Sequence, residues 1–129
     1  MASYIVDTNI LVRFLTDDRG EQLAEIKTLF SQAEKGEHSL TITPLIVAET
    51  VYVLRSVYQK TPKEISDSLQ IMLSQRWIKV EERQILLATL ALTAAGTHFV
   101  DAYLAIRAKN DATEVFTFDR KLKRLAAGK

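Results

Sequence analysis

Four carboxylates, Asp7, Glu49, Asp101 and Asp119, have the strongest claim to chemistry in this 129-residue chain. Glu49 has Leu45, Ile46, Tyr52 and Val53 three and four positions away, an apolar stripe if the segment is helical. A carboxylate in such a stripe is unfavourable unless it is paired, protonated or bound to a cation. It could equally reach the helix edge, or pair with a core Arg or Tyr. Asp7 follows the β-favouring run Tyr4-Ile5-Val6, and Asp119 follows Val115-Phe116-Thr117-Phe118. Either could simply N-cap the helix behind it. Asp101 opens the apolar helical run Ala102-Tyr103-Leu104-Ala105-Ile106, where capping is again open. Taken together, the four suggest a cage of hard oxygen ligands of the kind Mg²⁺ takes. Without a cation, four close carboxylates would repel and some would protonate. With one or two Mg²⁺, they could hold a scissile phosphate, activate water and stabilise the leaving oxygen.

Short strands and longer helices must position these groups. Tyr4-Ile5-Val6, Leu40-Thr41-Ile42, Trp77-Ile78-Lys79-Val80 and Val115-Phe116-Thr117-Phe118 read as four strands. Residues 21–35 place Leu23, Ile26, Leu29, Phe30 and Ala33 at helical spacing. Thr43-Pro44 gives an N-cap and a first-turn proline for a helix through about Tyr58. Thr61-Pro62-Lys63-Glu64 repeats that signal with a capping box. Residues 84–95 read as a helix ending at Gly96, with another from Val100 to Lys109 and a closing one from Asp119 to Leu125. Strands separated by helices need crossovers, which favours an α/β fold with a mainly parallel sheet over residues 1–129 as one domain. Ligands of such sheets gather beyond the carboxyl ends of the strands. A three-layer arrangement could therefore bring Asp7 and Asp119 together.

Composition removes the competing chemistries. The absence of Cys excludes thiolate zinc sites, iron–sulfur clusters and cysteine nucleophiles, and His38 and His98 cannot form an all-histidine site. No Gly-x-Gly-x-x-Gly, Walker or Gly-x-Ser-x-Gly pattern occurs. The N-terminus has no basic region of a signal peptide, and the longest mostly apolar stretch, residues 85–95, is too short to span a bilayer. A cytoplasmic protein without a membrane role is the expectation. The 17 basic residues nearly balance 16 acidic ones, unlike a strongly basic nucleic-acid binder. Five of those bases lie in the last ten residues, which hold no acid, leaving 12 bases against 16 acids before them. Arg120 and Lys121 directly follow Asp119, so this basic end is either a solvated helix end or an attraction for phosphate beside the acidic pocket.

Asp7-Thr8-Asn9, Val47-Ala48-Glu49-Thr50, Phe99-Val100-Asp101-Ala102 and Thr117-Phe118-Asp119, in this order and spacing, resemble the PIN-domain ribonucleases. Length and spacing are most similar to the VapC-type toxins of toxin–antitoxin pairs. The resemblance implies a three-layer α/β/α fold and a Mg²⁺- or Mn²⁺-dependent endoribonuclease. It implies Asp7 and Asp101 as direct metal ligands, with Glu49 and Asp119 completing the site. Asn9 would orient Asp7, and Thr117 would support the pocket with its hydroxyl. A homodimer and a cognate antitoxin protein are implied as partners. None of the four acidic positions departs from the pattern.

Two competitors remain at this level. A phosphohydrolase of the haloacid-dehalogenase type also begins with a strand and an Asp, but usually carries a second Asp where this chain has Asn9. A non-catalytic interaction module would use the acids only as caps. His98 reads as a surface residue, because metal-activated water needs no separate histidine base. Tyr52 and Tyr103 read as packing residues and Trp77 as a core or interface anchor, Asp17-Asp18-Arg19-Gly20-Glu21 as a turn with an N-cap, and Arg13 and Arg107 as further candidate RNA contacts.

Overall fold

A computed structural model describes residues 1–17 and 20–128. The predicted alternation of strands and helices is present for most of the chain. Strands β1 (Ala2–Ile5), β2 (His38–Ile42) and β3 (Ile78–Val80) form a parallel sheet in the order β1-β2-β3. Tyr4 stands beside Leu40 and Leu40 beside Ile78 across the sheet. Helices α1 (Thr8–Thr16) and α2 (Leu23–Glu34) cross from β1 to β2, and α3 (Pro44–Ser56) and α4 (Pro62–Leu73) cross from β2 to β3. The chain then continues through α5 (Arg83–Ala94), α6 (Phe99–Asn110) and α7 (Arg120–Ala126). The α/β class and the parallel sheet are thus as expected.

The local signals act where the sequence places them. Thr43 accepts from the Ile46 N–H with Pro44 in the first turn of α3, and Thr61 and Glu64 complete a reciprocal capping box at α4. Gly96 has φ +104°, a left-handed position just past the end of α5 that suits glycine. One core gathers Leu11 and Val12 of α1, Phe30 of α2, Leu40 and Ile42 of β2, Leu69 and Leu73 of α4, and Leu86 and Leu90 of α5. Phe30 stacks on Phe14 at 4.2 Å and meets Trp77 edge-on at 6.3 Å, so the tryptophan packs as expected. At the α4–α5 contact, the buried Ser66 hydroxyl donates to the Leu90 carbonyl at 2.8 Å. In the turn after α1, Asp17 is paired with Lys27 at 2.7 Å, whereas Asp18 and Arg19 lie outside the described residues. The cap of α2 is Gln22, with no side-chain capping bond.

The fourth strand does not form. Residues 113–117 carry no strand pairing, and β1 has β2 as its only partner among the described residues. Val115 and Thr117 are half-buried while Phe116 and Phe118 are each 93% exposed, their rings touching edge-on at 5.9 Å. The alternation therefore marks an extended segment with one side toward the protein. Propensity for a pleated surface does not itself supply a ladder partner. Because neither ring is buried, Phe116→Ser and Phe118→Ser are each expected to change unfolding free energy by no more than about 0.5 kcal/mol in urea titrations. A loss of about 2 kcal/mol or more would put these rings in the core instead.

Candidate active site

Parallel pairing makes β1, β2 and β3 end at the same side of the sheet, and α1 and α3 start there. At that side, Asp7 is the N-cap of α1, its Oδ1 accepting from the Ile10 N–H at 2.9 Å. Asp119 caps α7 in the same way, Oδ1 accepting from Lys121 N–H at 2.9 Å and Leu122 N–H at 3.1 Å. The Thr117 hydroxyl fixes the approach by accepting from the Asp119 N–H at 3.0 Å. Both aspartates are exposed, and no protein donor binds the Oδ2 of either among the described residues. Asn9 is also exposed, and no hydrogen bond joins it to Asp7 among the described residues.

Glu49 follows the helix-edge alternative of the two left open by its neighbours. Leu45 is 77% exposed and Tyr52, expected to pack, is 69% exposed because it lies on the uncovered face of α3, with Glu49 exposed between them. The buried face of that helix is Val47, Thr50, Val51 and Leu54. A helix with apolar residues on both faces does not tell, from three- and four-residue spacing alone, which face is covered. Glu49 is therefore a hydrated carboxylate and not one stranded in an apolar stripe. Asp101 is half-buried in the first turn of α6, whose cap position is His98.

Asp101 shares a cleft of about 650 Å³ with Thr97, His98, Lys121 and Arg124. Asp7 lines a different groove of about 560 Å³, between β1 and α2, with Tyr4, Ile5 and Gln22. Sequence reasoning singled out Lys121 but not Arg124; their i,i+3 spacing on a helix was the available signal. It also passed over Thr8 and Thr50, which directly follow Asp7 and Glu49. Their buried hydroxyls have no hydrogen-bond partner among the described residues.

Farther along α6, Arg107 donates to Glu82 at 2.6 Å, to the Tyr103 hydroxyl at 3.1 Å and to Asp111 at 3.0 and 3.2 Å. The Tyr103 hydroxyl itself donates to Glu82 at 2.8 Å. These bonds tie α6 to Glu82, which sits at φ +57° between β3 and α5. Burial first, and then Glu82, pushes the Tyr103 phenol above its ordinary pKa. Arg107 is thus committed to a brace, which accounts for its position without an RNA contact.

The donor set itself suits a hard divalent cation: four carboxylates, at least two with an oxygen to spare. Their placement is another matter. Among the described residues, no three Asp, Glu or His side chains stand together in a group able to hold a metal ion.

The α/β fold with its short three-stranded parallel sheet is consistent with a PIN-like, nuclease-type class. More particularly, the chain belongs to the PIN domain family, whose model matches residues 4–128. PIN domains are generally nucleases and typically use divalent metal ions, so the family supports a hydrolase acting on nucleic acid. No curated protein matches the chain. No helix among the described residues is long and apolar enough to cross a membrane.

Proposed function

We propose that this chain is a Mg²⁺- or Mn²⁺-dependent endoribonuclease and the toxin of a toxin–antitoxin pair. The observation that carries the reading is the family match over residues 4–128, a span that includes Asp7, Glu49, Asp101 and Asp119. In this reading Asp7 and Asp101 would be first ligands of the cation with Glu49 and Asp119 completing the site, which requires the four acids to converge more closely than the structure places them. When bound, the metal would supply an activated water and neutralise charge on the phosphate. The Oδ2 atoms of Asp7 and Asp119 support the same role, because capping uses only Oδ1 of each. Thr117 holds the backbone of Asp119, and Asn9 stands two residues beyond Asp7 as a supporting amide. Arg120 and Lys121 attract RNA phosphates beside the acids.

As partners we propose a second copy of the chain and a cognate antitoxin. The groove between α3 and α6, lined by Pro44, Leu45, Ala48, Phe99, Val100 and Tyr103, supports an apolar contact of this kind.

A second reading has a specific observation in its favour. Asp7 and Asp119 both act as helix caps, as in a non-catalytic interaction module with the same fold. Incubation of the purified protein with single-stranded and structured RNAs separates the two. Cleavage in Mn²⁺ or Mg²⁺, abolished by EDTA and restored by added metal, is the expected result. Cleavage that persists in EDTA overturns the metal-dependent mechanism. Absence of cleavage together with no metal-dependent rise in melting temperature selects the module.

A further inference from the structure

We infer that the cleft between the start of α6 and α7 seats a backbone phosphate of the RNA substrate, held by Lys121 and Arg124; this rests on the nuclease reading above. The cleft is an open surface feature of about 650 Å³, ample for one phosphodiester group. Two cations on one helix face it, and Asp101 is the only carboxylate in its wall among the described residues. The segment from Arg120 to Arg124 carries four cations and no acid.

Neither Lys121 nor Arg124 forms an ion pair among the described residues, whereas Lys27, Lys63 and Arg107 all do. Two cations against the single carboxylate of Asp101 leave the wall net positive, which favours an anion. Their i,i+3 spacing places both side chains on one face of α7, within reach of one phosphodiester. The Arg124 Nε donates to the Arg120 carbonyl at 3.4 Å, which leaves its two terminal nitrogens for phosphate oxygens, and Lys121 adds a mobile point charge. Gly96 also lines the cleft, where its left-handed backbone at φ +104° accounts for the glycine. Thr97 and His98 add polar lining.

Position decides which phosphate this is. Asp101 shares the cleft and is one of the proposed cation ligands, so the seated phosphate neighbours the one cut. Lys121 and Arg124 then set the register of the strand relative to the carboxylates. Arg120 does not line the cleft and contributes only long-range attraction.

The test is binding of a fluorescein-labelled single-stranded oligoribonucleotide by anisotropy, in EDTA and across a salt series. Lys121→Ala and Arg124→Ala are compared with Lys123→Ala, which removes the same charge from the same helix outside the cleft. Each cleft variant is expected to bind several-fold more weakly, with a salt slope shallower by about 0.7, and Lys123→Ala to lose less than half as much. Arg124→Lys should recover part of the affinity and little of the cleavage-site precision. Equal losses in all three alanine variants would reduce the effect to bulk charge and overturn the seat. Undiminished RNA binding in the cleft variants, as expected if the cleft serves an acidic peptide, would overturn it as well. Wild-type protein that neither binds nor cleaves RNA overturns the nuclease reading itself, a result distinct from either.

Discussion

Asp7→Asn is expected to fold as stably as the wild type and to lose RNA cleavage by at least about a hundredfold, more than loss of a supporting partner of a metal ligand costs. The two halves of that expectation have different origins. As an N-cap, Asp7 accepts one hydrogen bond from the Ile10 N–H. Asn caps about as well as Asp, so the amide preserves the start of α1. What the amide lacks is the negative charge, and a cation site depends on that charge. Asp7→Ala removes both, and should lose about 1 kcal/mol of stability as well as activity. Asp119→Asn gives an independent repeat, since the Oδ1 of Asp119 accepts from two N–H groups of α7 and an amide oxygen in its place could do the same. Melting curves read beside cleavage rates therefore separate the cap from the chemistry. Full activity in Asp7→Asn would leave capping as the entire role of this residue.

The parts of the fold that were legible in the sequence are those set by local chemistry. Thr43-Pro44 and Thr61-Pro62-Lys63-Glu64 fix their helix starts with atoms a few residues apart, and both caps form as expected. Gly96 ends α5 because a left-handed residue is needed there. The illegible parts depend on what lies across space. Val115-Phe116-Thr117-Phe118 has the alternation of a strand, but alternation cannot name a neighbour, and the segment stands without a ladder. In α6, Asp101 reads as a helix opener, while the cap position belongs to His98.

The site divides along the same line. Asp7 and Asp119 were recognisable as strand- and helix-end acids, and both the capping and the ligand alternatives were visible from their neighbours. The structure realises the caps and leaves one oxygen of each aspartate without a protein donor among the described residues. Arg124 was hidden because a basic helix end offers several equivalent cations to a reader of sequence. Only the cleft beside Asp101 distinguishes Lys121 and Arg124 from Lys123. Arg107 shows the converse, a cation that sequence alone could assign to RNA and that the fold commits to Glu82, Tyr103 and Asp111.

Leu11→Ala and Leu45→Ala test the face of α3 on which Glu49 sits. The two substitutions remove the same atoms, yet Leu11 is fully buried and Leu45 is 77% exposed. Leu11 lies in α1, the helix that Asp7 begins and that packs against α3. Truncating it should cost about 3 kcal/mol, from lost burial plus a cavity the surroundings only partly fill. In a domain of this size that lowers the melting temperature on the order of 10 °C, and the temperature at which cleavage fails should fall with it. Leu45→Ala should stay within about 0.5 kcal/mol, because its side chain already faces solvent. Measuring both at several protein concentrations adds a further distinction. A residue at a contact between copies loses stability in a concentration-dependent way, whereas a core residue does not. If Leu45→Ala proved as costly as Leu11→Ala at every concentration, Leu45 and Tyr52 would belong to the core. Glu49 would then be the desolvated carboxylate that its sequence neighbours suggested, and its need for a cation would follow from burial. If the two leucines differ as expected, Glu49 is hydrated, and any affinity for a cation must come from convergence with the other acids.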